Sequence, residues 1–117
     1  MTNKYDLEDR TARFAESIID LCKKWPKNAI TLPLIDQLIR AGTSIGANYC
    51  EANGASSKKD FKNKIFICKK ESKESQYWLR LLAKTTDDES LKKNCRVNWQ
   101  EAKEFSMIFA SIANKTT

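Results

Sequence analysis

Residues 58–84 read KKDFKNKIFICKKESKESQYWLRLLAK, 27 residues with neither glycine nor proline. Phe61, Ile65, Cys68, Ser72, Ser75, Leu79 and Leu82 recur at steps of three and four, the spacing of one α-helical face. A helix of this length that is polar around most of its circumference cannot shelter its apolar stripe alone. It must pack on other helices. The stretch therefore predicts a helix over 58–84 inside an all-α assembly.

The chain on either side reads the same way. Asn53-Gly54 and Ser56-Ser57 break it ahead of this helix, and Ser57 followed by Asp60 forms a capping arrangement with an acid near the positive helix end. The preceding helix is expected from about Leu32 to Ala52, with Leu34, Leu38, Ile45 and Tyr49 on its core face. Thr31 reads as its N-cap, with Pro33 tolerated in the first turn. A first helix runs from about Asp6 to Lys24 and places Phe14, Ile18, Leu21 and Trp25 on one side before Pro26 ends it. Downstream, Thr85-Thr86-Asp87-Asp88 closes one helix and can cap the next. That last helix carries Leu91, Cys95, Ala102, Phe105, Phe109 and Ile112. Short connections favour antiparallel neighbours, so the expected fold is an up-down-up-down four-helix bundle forming one domain over residues 1–117.

Composition narrows the function classes. With 41% hydrophobic residues, 31% charged, three glycines and two prolines, the chain is well folded and poor in turns, which disfavours a β-sandwich. No apolar run approaches the roughly 20 residues of a membrane span. The start, MTNKYDLEDR, lacks the apolar region of a signal peptide, so a cytoplasmic location without membrane contact is expected. Histidine is absent, which rules out Ser-His-Asp and Cys-His nucleophile pairs and the Glu-x-x-His ligands of di-iron bundles. Cys22, Cys50, Cys68 and Cys95 are widely separated, one per predicted helix, and read as small buried hydrophobes rather than metal or redox sites. Glu51, Glu71 and Glu74 could in principle hold a divalent metal, but they lack an Asp or His beside them. No enzymatic activity, cofactor or metal is expected.

Residues 40–55, RAGTSIGANYCEANGA, set small and polar residues in the middle of the second helix. Each glycine costs ~1 kcal/mol relative to alanine there, so Gly42 and Gly46 imply close approach of another backbone. Arg40, Ser44, Asn48 and Glu51 share a different side. Pairing of Arg40, Asn48 and Glu51 with Glu71 and Glu74 would make a polar seam within or between subunits; a plain exposed face fits the periodicity equally.

Charge is concentrated. The protein carries +6, and residues 58–84 hold nine basic and three acidic side chains, so this one helix accounts for the whole excess. Lys59, Lys62, Lys69, Lys70, Lys73, Arg80 and Lys84 fall within about 100° of one another by the helical step, with Phe66 and Tyr77 among them. Cations for phosphates and rings for bases make this stripe the candidate nucleic-acid-binding surface. A further wedge of Ile67, Trp78 and Leu81 lies apart from both core and stripe, and predicts a homo-oligomer interface.

Taken in order, Arg40, TSIGANYCEA at 43–52, Ser57 with Asp60-Phe61, and KKESKESQYWLRLL at 69–82 resemble the bacterial four-helix-bundle proteins named for intervening sequences in 23S rRNA. Ser44, Asn48 and Glu51 match that family's second-helix pattern, and Glu71, Glu74 and Trp78 its third. The chain departs from the pattern at Glu51-Ala52, where many members have Glu-Gly, and at Cys50. The resemblance implies a ring-shaped homopentamer without known enzymatic activity. It also implies kinship with the accessory variability determinant of diversity-generating retroelements, a basic bundle that binds RNA and its reverse transcriptase. The expected function is binding of structured RNA, with rRNA as one candidate, through the third-helix stripe. The alternative is a protein-interaction scaffold, such as a reverse-transcriptase accessory subunit, with no direct role in RNA binding.

Overall fold

The structure is a computed structural model that describes residues 4–116, with side chains described from Leu7 onward. Four helices form: α1 (Lys4–Lys24), α2 (Thr31–Asn53), α3 (Lys58–Ala83) and α4 (Glu89–Lys115). No strand occurs among the described residues. Each helix packs on its chain neighbours, α3 extensively on α2 and α4, and α1 on α2 with lighter contact to α4. The result is the expected all-α four-helix bundle. Among the described residues no helix is long and apolar enough to cross a membrane.

The caps follow from local chemistry. The Ser57 hydroxyl accepts from the Asp60 N–H at 3.0 Å, and Asp88 accepts from the N–H groups of Ser90 at 2.8 Å and Leu91 at 3.1 Å. At the start of α2 the sequence reading needs correction. The Asn28 side chain, not Thr31, accepts from the Ile30 and Thr31 N–H groups, at 2.8 and 2.9 Å. Thr31 instead reaches back, donating to the Pro26 carbonyl at 2.7 Å while accepting from the Asn28 N–H at 3.0 Å.

The core is built from unequal contributions. Phe14, Ile18, Leu21 and Trp25 of α1 are buried as expected, and Phe105 and Phe109 of α4 are fully enclosed. Phe14 meets Phe105 edge-on with ring centres 5.5 Å apart, and Tyr49 of α2 lies 5.7 Å from Phe109. Against this aromatic bulk, α3 offers small side chains. Cys68, Ser72 and Ser75 have no exposed surface, and each serine hydroxyl donates to the carbonyl one turn back, at 2.8 and 2.9 Å. A small, internally satisfied face lets α2 and α4 both approach α3 closely.

Three core positions differ from the sequence reading. In α2 the buried residue is Ile35 and Leu34 is half-buried; in α4 it is Ala113, with Ile112 half-buried. Either neighbour satisfies the period, and packing selects between them. Phe61, in the first turn of α3, is half-buried against the core. Cys50 is a fourth exception. Cys22, Cys68 and Cys95 are buried, but Cys50 is exposed, because the residue after Tyr49 on a helix turns away from the core. Burial pushes the thiol of Cys22 up to about 11 and those of Cys68 and Cys95 up to about 12.

The glycines of α2 admit α1. A Cβ built on Gly42 would lie 3.1 Å from Ile18 Cγ1, and one on Gly46 would lie 3.0 Å from Thr11 Oγ1 and 3.2 Å from Thr11 Cβ. The α1–α4 seam is closed by a charge clamp. Arg10 donates from Nε and Nη2 to both carboxylate oxygens of Glu101, each at 2.7 Å, and from Nη2 to Glu104 at 2.7 Å. Its guanidinium also sits over Phe105, 5.1 Å from the ring centre.

Candidate nucleic-acid interface on α3 and α4

The helical step carries the cations of α3 to the side away from α2. Lys59, Lys70, Lys73, Arg80 and Lys84 are exposed, while Lys62 and Lys69 are half-buried. Phe66 and Tyr77 lie among them at 46% and 55% exposure, so both rings present area to solvent. Lys62 Nζ stands 5.9 Å from the centre of the Phe66 ring. Among the described residues none of these seven cations is in an ion pair. The one ion pair of α3 is Lys64 with Glu51 at 2.9 Å, on the α2 side.

Of the three acids of α3, Asp60 and Glu71 lie off the stripe by the helical step, while Glu74 borders it, lining a depression with Phe66, Lys69, Lys70 and Lys73. Burial, reinforced by neighbouring Glu74, holds the Glu71 carboxyl above its ordinary value, while Lys70 and Arg40 pull it down. Among the described residues no hydrogen bond or ion pair within the chain joins Arg40, Ser44, Asn48 or Glu51 to Glu71 or Glu74. The Ser44 hydroxyl donates to the Arg40 carbonyl at 2.6 Å, and the Asn48 amide donates to the Ser44 carbonyl at 2.8 Å. Both side chains thus donate within α2, and Glu51 pairs with Lys64 of α3. Among the described residues no three His, Cys, Asp or Glu side chains gather where they could hold a metal ion.

Ile67, Trp78 and Leu81 are all half-buried rather than fully exposed. Trp78 packs against the core and meets Tyr77 edge-on at 5.0 Å. Its indole nitrogen is covered and has no hydrogen-bond partner among the described residues.

The structure adds residues that the sequence reading did not single out. Arg96 and Trp99 of α4 face Leu79, Arg80 and Ala83 of α3 across a groove of about 600 Å³. Lys92 and Lys84 continue its cationic rim into an adjoining depression of about 440 Å³. Lys103 lies over Trp99, 5.7 Å from the ring centre. Lys92, Arg96, Trp99 and Lys103 are spaced four, three and four apart, a helical line visible in the sequence. Glu101 and Glu104 mask it when charges are counted along the chain, yet both turn to the opposite edge to meet Arg10. The basic surface is thus a composite of two helices.

Residues 3–96 match the family described as 23S rRNA-intervening sequence protein. The chain belongs to that family. Among solved structures, it is similar to a protein of unknown function from the S23 ribosomal protein family of Bacteroides thetaiotaomicron VPI-5482. Identity is 33%, the TM-score is 0.78, and the match covers 91% of this chain and 96% of that one. No curated protein matches the chain. The family match ends at Arg96, so Trp99 and Lys103, on one edge of the composite surface, lie beyond the matched segment.

Proposed function

We propose that this 23S rRNA-intervening sequence family member is a non-enzymatic, cytoplasmic, homo-oligomeric bundle that binds RNA through the α3 stripe, rRNA being the first target to test. One observation supports this most. Seven cations share an outward sector with no acid paired to any of them, among the described residues. On a helix face that served only solubility most lysines would have an acid one turn away; of the stripe's cations only Lys70 does within α3, with Glu74. Unpaired lysines and arginines instead release counterions from a phosphate backbone, and Phe66 and Tyr77 supply stacking surface between them.

Oligomerisation is read from Ile67, Trp78 and Leu81, whose remaining exposed area suits burial against another copy. The family resemblance implies five copies. Repeating the stripe around a ring raises the effective concentration of phosphate contacts without any new contact per subunit.

The test is a variant with Lys62, Lys69, Lys73 and Arg80 all changed to Glu. RNA retention should be abolished while helical circular dichroism is unchanged, and wild-type affinity should fall steeply with added salt. Unaltered affinity in the variant would refute the stripe. The same Trp78 patch also fits a protein scaffold, the reading implied by likeness to a reverse-transcriptase accessory subunit. A stoichiometric protein partner copurifying without enriched RNA would favour that alternative.

A further inference from the structure

The groove between the end of α3 and the start of α4 has a composition that the stripe does not explain. Its floor is apolar, with Leu79 and Cys95 fully buried and the Trp99 ring half-buried along one wall. Its rim is cationic. Arg80 and Arg96 stand exposed on opposite helices, and neither is in an ion pair among the described residues. At about 600 Å³ the groove is of the size that holds a small molecule or one residue of a polymer.

We propose that this groove receives one unstacked base of single-stranded RNA, its plane against Trp99 and its flanking phosphates held by Arg80 and Arg96. The inference rests on the RNA-binding reading above and adds to it the structural class of RNA: unpaired rather than duplex. Charge complementarity argues for the occupant, since an apolar floor between two guanidinium groups fits a ligand that is flat and apolar in the middle and anionic at both ends. A nucleotide within a strand has that form. Continuity argues for it as well. Arg80 belongs to both the stripe and the groove, so a strand whose phosphates track α3 passes the groove mouth. A base-paired helix cannot offer a base face there, because its bases remain stacked inside the duplex.

The experiment compares the full-length protein on an oligoadenylate strand and on an adenylate–uridylate duplex of equal length, by fluorescence anisotropy. Wild type should bind both and prefer the strand. Trp99→Leu should weaken strand binding by about tenfold and leave duplex binding unchanged, as expected for loss of one stacking contact. Arg96→Gln, at an exposed position without an ion pair, keeps the test valid should Trp99→Leu fail to fold. It should weaken the strand selectively and reduce its salt slope by about 0.7. Strand binding that both variants retain at wild-type strength would overturn the groove and leave the stripe standing. Loss of self-association in Trp99→Leu, with RNA affinity intact, would overturn it in favour of a second copy of the chain as occupant. Absence of binding to either oligonucleotide by a wild type that still retains rRNA would overturn the groove alone, whereas absence of binding to these and to rRNA would overturn both readings.

Discussion

Gly46→Ala tests whether the approach of α1 determines the composition of α2. In an exposed helix interior the substitution should stabilise by ~1 kcal/mol, because alanine has the higher helix propensity. Here the new Cβ would sit 3.0 Å from Thr11 Oγ1, 3.2 Å from Thr11 Cβ and 3.6 Å from the Thr11 carbonyl carbon. Thr11 is 1% exposed, and its hydroxyl donates to the Leu7 carbonyl at 2.7 Å. Turning that hydroxyl aside gives up a buried hydrogen bond worth ~1 kcal/mol. The Cβ contact remains in any case, because Cβ moves only with the α1 backbone. Shifting α1 disturbs Phe14 against Phe105 and the Arg10 clamp, an overpacking cost of roughly 1–3 kcal/mol. Offsetting the propensity gain, the net change is a loss of about 1 kcal/mol, or about 4 °C in Tm for a 117-residue chain. Thermal and urea melts by circular dichroism, at matched protein concentration, measure it. Gly54→Ala is the control. Its nearest atoms are carbonyl oxygens at 3.8 and 4.0 Å and its φ is −99°, so stability should hold or rise slightly. A Gly46→Ala protein as stable as wild type would refute the reasoning, since it would mean that α1 yields without cost.

Two further outcomes follow from the buried groups. Alkylation at pH 8 should label one cysteine, Cys50, in the native protein and all four after denaturation, read by intact mass. Burial and raised thiol values protect the other three, so fast native labelling of Cys68 would contradict the packing of α3. Glu71 carries a folded-state value raised by burial, so the folded protein binds its proton more tightly than the unfolded chain does. Stability from this group is therefore present at low pH and lost as pH rises through the folded value. Glu71→Gln should be more stable than wild type at pH 7, with the gap closing on acidification, in chemical denaturation across that range.

How much was legible depended on whether period alone decided the matter. Ser72 and Ser75 are polar, yet their spacing placed them in the core, and there they are, each hydroxyl satisfied one turn back. Leu34 and Ile35 are adjacent and both apolar, so the choice between them belonged to packing, which chose Ile35. The Asn28 cap was hidden because the side chain that folds over a helix start can lie outside the helix. The α4 half of the basic surface was hidden for a different reason. Charge read along the chain gives no sign that Glu101 and Glu104 lean towards α1, and only the position of Arg10 reveals it.

That sorting of charge has a kinetic consequence. With its excess of +6 carried on one helix, the molecule has a polar axis as well as a net charge. A polyanion at a distance would exert a torque on it, turning the α3 side forward before contact. Arg10 adds to the sorting from the α1 edge, because its hydrogen bonds to Glu101 and Glu104 hold both carboxylates towards α1.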